Sequence, residues 1–182
     1  MHRFVSLALL VAPLCVPLAA RSQEPRVLVF SKTAGYRHSS IGVGLATIRK
    51  LGQENAFSVD ATEDAGAFTS KNLARYRAVV FLNTTGDVLD AAQQDDFERY
   101  IQAGGGWVGV HSATDTEYDW PWYGRLAGAW FNGHPGNPNV RTATYRVRDK
   151  SHPSTEGFPD TLVHEDEFYN FKSIDPTIHV LV

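Results

Sequence analysis

Gly104 to Asp119, GGGWVGVHSATDTEYD, joins a glycine-rich turn to a short apolar run that stops at His111. An apolar run of that kind reads as a buried strand, and it delivers a titratable ring to the edge of a sheet. Ligands of open α/β sheets bind beyond the carboxyl ends of the strands. Imidazole titrates near neutral pH and ligates metals, so His111 is placed for a general base or a metal ligand rather than for packing. The complementary acid is expected from His164-Glu165-Asp166-Glu167-Phe168-Tyr169, where alternation puts Glu165, Glu167 and Tyr169 on one face of an extended segment. A carboxylate beside a phenol can exchange protons or hold sugar hydroxyls.

Two further polar loops follow predicted strands. Lys32-Thr33-Ala34-Gly35-Tyr36-Arg37-His38-Ser39 runs into a helix start, and its cations, glycine and hydroxyls suit an anion or a sugar hydroxyl. Asn83-Thr84-Thr85-Gly86-Asp87 is the second. Lys32, Tyr36, Arg37, His38, Thr84, Thr85, Asp115, Glu117, Trp120 and Tyr169 are therefore the expected ligand contacts, with His111 and Glu167 catalytic. Most have a plainer reading. Lys32 and Arg37 taken singly are surface charges, Thr84 and Thr85 satisfy turn backbone, Asp115 and Glu117 are exposed acids, and Trp120 is core. His134, in Asn-Gly-His-Pro, joins His111 and Glu167 as nitrogen and oxygen ligands for a divalent ion such as zinc. No tight ligand spacing of the HExxH type supports that set, and His152 before Pro153 reads as a turn.

The elements that position these groups alternate. Arg26–Ser31, Phe57–Ala61, Ala78–Leu82 and Trp107–Val110 read as strands. Between the first two lies a helix capped by Ser39 or Ser40, with Ile41, Leu45, Ile48 and Leu51 at helical spacing and Gly52 as its stop. Asp90 and Gln93 form a capping box for a helix through Phe97, Tyr100 and Ile101 that ends at Gly104. Strand–helix alternation predicts an α/β domain with a doubly wound parallel sheet. Arg141–Arg148 alternates like a half-exposed strand, and Ile178–Val182 reads as a core strand at which the domain looks truncated.

The first 22 residues, with Arg3 ahead of an apolar run to Ala20 broken by Pro13 and Pro17, read as a secretory signal peptide, which predicts a secreted or periplasmic protein. Residues 23–182 then form one domain. Cys15 is the single cysteine, so the mature chain has no thiolate nucleophile and no disulfide. The full chain carries 17 basic and 20 acidic residues; loss of Arg3 and Arg21 leaves 15 against 20, a formal net charge of −5. A nucleic-acid partner is not expected at that balance, nor a membrane once the signal is removed.

VLVFSKTAGYRHSSI, VVFLNTTGDVL, YIQAGGGWVGVHSATDTEYDWPWYGRLAGAWFNGHP and DEFYNF together resemble the ThuA-like (trehalose utilisation) family. The resemblance spans Arg26 to Val182. It implies a flavodoxin-like fold related to the class I glutamine amidotransferases, with His111 where those enzymes carry their nucleophilic cysteine, so amidotransfer is excluded. It also implies carbohydrate catabolism, with trehalose-like disaccharides or their keto derivatives as substrates and a small-molecule carbohydrate as the partner. Self-association into a homo-oligomer is left open. The expectation is a hydrolase- or lyase-like enzyme; the alternative is a saccharide-binding or interaction domain without turnover.

Overall fold

The computed structural model describes residues 24–182, so the expected signal segment lies outside the described residues. The chain begins with β1 (Arg26–Phe30), crosses through α1 (Ile41–Glu54) to β2 (Ser58–Thr62), and returns through the single-turn α2 (Ser70–Leu73) to β3 (Ala78–Leu82). α3 (Ala91–Gln102) then leads to β4 (Gly106–Val110). The four strands are parallel in the order β2-β1-β3-β4. The expected α/β parallel sheet with flanking helices is borne out. The direction of winding reverses between β1 and β3, where a ligand crevice opens in such sheets.

Near-continuous apolar strands are what a sheet covered on both faces requires. Leu28, Phe30, Val79 and Phe81 point to one face, against Phe68, Leu73, Phe97, Tyr100 and Tyr123. Val29, Val80 and Leu82 point to the other, under Leu45 and Ile48 of α1. Each such buried side chain contributes roughly 1.5–3 kcal/mol of transfer free energy. The capping box forms as expected, with Asp90 accepting from the Gln93 amide and Gln93 reaching back to the Asp90 amide. Gly104, at φ +92°, turns the chain out of α3.

Three local expectations are corrected. Gly52 does not end α1, which continues to Glu54. Its role is close approach, since a Cβ there would sit 2.6 Å from the carbonyl oxygen of Phe57. No side chain caps α1; the Ser40 hydroxyl instead accepts from Asn83 Nδ2 at 2.9 Å, tying the helix start to the loop after β3. Ile178–Val182 is not a strand. It finds no sheet neighbour; Leu181 O accepts from the amides of Arg148 and Asp149 and the Ile178 amide donates to Asp175 O, while Ile178, Val180 and Val182 stay exposed.

Beyond β4 the chain forms α4 (Pro121–Ala127) and two small antiparallel pairs. β5 (Trp130–Phe131) lies beside the later β8 (Phe171–Lys172). β6 (Val140–Arg146), which overlaps the Arg141–Arg148 segment expected to be a half-exposed strand, pairs with β7 (Thr161–Glu167) in a register that sets Val140 opposite Glu167. This fold-back returns the acidic end of β7 to the carboxyl edge of the parallel sheet.

Candidate functional site

The loops after β1, β3 and β4 are stitched together at that edge. Thr85 O accepts from the Ala34 amide at 2.7 Å, Thr85 Oγ1 donates to Tyr36 O at 2.9 Å, and Asp115 O accepts from the Gly86 amide at 2.8 Å. Held this way, the first loop brings His38 to His111. Their Nε2 atoms are 3.2 Å apart and their rings meet edge to face. Glu167 Oε2 lies 3.1 Å from His111 Nε2 and 3.4 Å from His38 Nε2. The Tyr169 hydroxyl lies 2.9 Å and 3.4 Å from the same two nitrogens, with its ring stacked on His111. Groups from the ends of β1, β4 and β7 and from the turn before β8 thus converge on one point, although up to 131 residues separate them in sequence.

His38 and Glu167 are oriented from behind. His38 Nδ1 is 3.3 Å from the Ser112 hydroxyl. Glu167 Oε1 accepts from Asn139 Nδ2 and is 3.4 Å from His134 Nε2, while His134 Nδ1 is held 3.0 Å from Phe168 O. His111 itself sits at φ +51°, a left-handed conformation that costs a β-carbon-bearing residue about 1–2 kcal/mol and recurs at functional sites.

The electrostatics favour a neutral His38 and an ionised Glu167. Burial, and then the proximity of His111, hold His38 below the ordinary histidine value against the pull of Glu167. Burial also works against the Glu167 carboxylate. The hydrogen bond from His111, the charge of His134 and the hydrogen bond from His38 outweigh it and bring its pKa below the usual glutamate value. Burial and the Glu167 charge push the Tyr169 phenol far up, so it stays protonated.

A cleft of about 520 Å³ opens from this cluster. Leu82, Val110, Val43 and Val140 supply an apolar wall, and Glu165, Asp166 and Glu167 an acidic one. A larger groove of about 660 Å³ lies at the opposite, amino-terminal end of the sheet, lined by Arg26, Arg75 and Arg77. Arg26 and Arg75 there are committed to Asp60 and to the ring of Tyr76. The hydrogen bond from Tyr76, and then that from Arg26, hold Asp60 below the ordinary aspartate value despite partial burial. A depressed carboxylate stabilises the fold above its unfolded pKa and loses that contribution as pH falls through its folded pKa. Asp60→Asn should therefore lower stability by up to about 1 kcal/mol at pH 7, with the difference from wild type starting to shrink near about pH 4 and disappearing only below the depressed pKa of Asp60. Urea unfolding across that range measures it.

Residues 26–182 match the family model described as trehalose utilisation. The chain belongs to the ThuA family. Membership suggests a role in trehalose utilisation. A solved ThuA-like protein from Bacteroides uniformis is 25% identical and superposes with a TM-score of 0.74, over 90% of this chain and 70% of its own. A second, from Parabacteroides merdae, is 23% identical with a TM-score of 0.63, over 81% of this chain and 63% of its own. No curated protein gives a significant sequence match.

Of the site residues expected from sequence, this ThuA-family chain brings His38, His111, Glu167 and Tyr169 into contact, with His134 behind Glu167. Tyr36 is 71% exposed and packs edge-on against His38. Asp115 is half-buried and accepts from the Tyr118 hydroxyl at 2.6 Å, close enough for its charge to act on His38 and Tyr169.

The others lie elsewhere. Lys32 Nζ donates to Val88 O, and Arg37 forms a two-pronged surface pair with Glu63. Thr84 is fully buried against the Thr116 hydroxyl, and Thr85 is fully buried and bonded to Tyr36 O. Trp120 is half-buried, stacking on Trp122 and Tyr123 and meeting Phe97 edge-on against the aromatic core. Glu117 is 1% exposed, with Oε1 accepting from the amides of Val88 and Leu89 and Oε2 from Gln94. Burial pushes its pKa up against those hydrogen bonds. These six residues build the loops and core that carry the site rather than line it. Sequence reading missed Ser112 and Asn139, which orient His38 and Glu167. Ser112 directly follows His111, and that adjacency was the one available signal.

Proposed function

We propose that this chain is an exported carbohydrate-processing enzyme acting on a trehalose-like disaccharide or a keto derivative of one. The cluster of His38, His111, Glu167 and Tyr169 at the mouth of the cleft carries this reading. It joins a neutral imidazole, a carboxylate and a protonated phenol within hydrogen-bond reach. Such a set can take a proton from a sugar hydroxyl or an adjacent carbon at one side and return one to a departing oxygen at the other. His111 is the base and Glu167 its complementary acid–base partner, with Tyr169 a hydroxyl donor.

The cleft volume of about 520 Å³ falls within the 300–1,000 Å³ typical of small-ligand sites. Its apolar wall suits the C–H face of a pyranose, and the acidic wall of Glu165 and Asp166 accepts hydroxyl hydrogens while repelling phosphorylated sugars. The apolar, proline-broken start of the chain supports export. Neutral disaccharides, their keto derivatives and their phosphorylated analogues, incubated with the purified chain and analysed for products, test the reading. Products from the neutral sugars alone are expected. Saccharide binding with no product from any of them would leave a binding module and reject the enzyme.

A further inference from the structure

We propose that His38, His111 and Glu167 form a divalent-metal centre of the two-histidine, one-carboxylate kind. This rests on the proposed sugar chemistry and deepens it, since it assigns a cofactor to the same cluster. With an ion held, the lone pairs of His111 Nε2 and Glu167 Oε2 become ligands, and a water or sugar oxygen at the open coordination position takes over the proton-accepting role that His111 has in the metal-free cluster. Donor arithmetic is the first argument. A ring nitrogen carries either one proton or one lone pair, and so makes one good hydrogen bond. His111 Nε2 nevertheless has three polar atoms within 3.2 Å: Tyr169 Oη at 2.9 Å, Glu167 Oε2 at 3.1 Å and His38 Nε2 at 3.2 Å. His38 Nε2 has the same crowding at 3.2–3.4 Å. Hydrogen bonding leaves most of these contacts unsatisfied, whereas a cation among them uses every lone pair.

The spacing is the second argument. The three ligand atoms form a triangle with edges of 3.1, 3.2 and 3.4 Å. Ligands about 2.0–2.1 Å from a tetrahedral ion lie roughly 3.3 Å from one another. A triangle of protein ligands leaves one coordination position for water or a sugar oxygen, as in catalytic rather than structural zinc sites.

Orientation is the third. Metal-bound histidines use their second nitrogen to hold a neighbour, and ligating carboxylates are themselves hydrogen-bonded. His38 Nδ1 has Ser112, and Glu167 Oε1 has Asn139 and His134, which leaves both Nε2 atoms and Oε2 turned inward. Compared with the expectation from sequence, His38 takes the place of His134, which moves behind the carboxylate. Nitrogen and oxygen donors without thiolate suit zinc, cobalt or manganese.

Purified chain stripped with a chelator and titrated with Zn²⁺ against a chromogenic competitor should take up about one equivalent, confirmed by elemental analysis. Co²⁺ in its place should give the visible absorption of a four-coordinate ion. His38→Ala, His111→Ala and the isosteric Glu167→Gln should each weaken uptake by more than about 100-fold, and His134→Ala by about 10-fold. Near-ultraviolet circular dichroism of the stripped proteins identifies any variant that has lost its fold. Wild-type uptake far below one equivalent, or uptake retained by folded His111→Ala and Glu167→Gln, overturns the centre. One bound metal without sugar turnover would uphold the centre and reject the enzyme, while turnover unaffected by stripping would do the reverse.

Discussion

Alanine in place of His111 should cut turnover of the sugar by about 1000-fold, the scale on which a positioned acid–base group contributes. Among the described residues, the imidazole is the only side chain with hydrogen-bond contacts to all three of His38, Glu167 and Tyr169. Its removal leaves Glu167 without the hydrogen bond that does most to offset the burial of its charge. The backbone makes the experiment sharper, because His111 holds φ at +51°. Alanine and glycine both lack the ring, but only glycine adopts that conformation at little cost. His111→Gly should therefore be about 1 kcal/mol more stable than His111→Ala in urea unfolding, with turnover equally lost. Strain retained at a position whose side chain does chemistry is the usual bargain at functional sites. Normal turnover in the alanine variant would remove His111 from the chemistry, and equal stability of the two variants would remove the strain argument.

The second large effect lies away from the cleft. Glu117→Ala should destabilise the chain by roughly 3–5 kcal/mol, because it strands the buried amides of Val88 and Leu89 and the side chain of Gln94. That is a large part of the 5–15 kcal/mol by which a domain is ordinarily stable, and it lowers the melting temperature by roughly 10 °C for a domain of this size. Glu117→Gln keeps one oxygen for the two amides and places an NH₂ group against Gln94, so it should cost about 1–3 kcal/mol. A scanning calorimeter separates the two variants. A melting temperature for Glu117→Ala within a degree or two of wild type would show that the loop between β3 and α3 does not depend on this carboxylate.

Glu117 and His111 also show why some of the site was legible in the sequence and some was not. His111 ends an apolar strand, and where a strand gives out is a local property of hydrophobic patterning. Glu117 stands six residues later among Thr, Asp and Tyr, in a stretch indistinguishable by composition from a solvated loop. Its burial follows from the loop after β3 folding across it. Trp120 differs for a similar reason, since aromatic composition is the same for a sugar platform and a core. Contact with Phe97, on a helix that precedes it by more than 20 residues, decides between them.

His38 and His134 exchange roles on the same principle. Both are loop histidines beside turn-forming residues, and no local pattern ranks one above the other. The stitching of Ala34 to Thr85 carries His38 inward, while Phe168 O fixes His134 one step back.

Read alone, the residues determine the alternating parallel architecture, the capped helix at Asp90, the absence of a thiolate outside the first 22 residues, and the placement of His111 where a strand of the sheet ends. All of these depend on periodicity, composition or neighbours a few positions away. Tertiary structure alone decides which polar groups meet, because the meeting needs strands 56 and 73 residues apart to end at one place and an antiparallel pair to fold back over them. Long-range closure of that kind is set by the whole core, and no segment carries it in its own pattern.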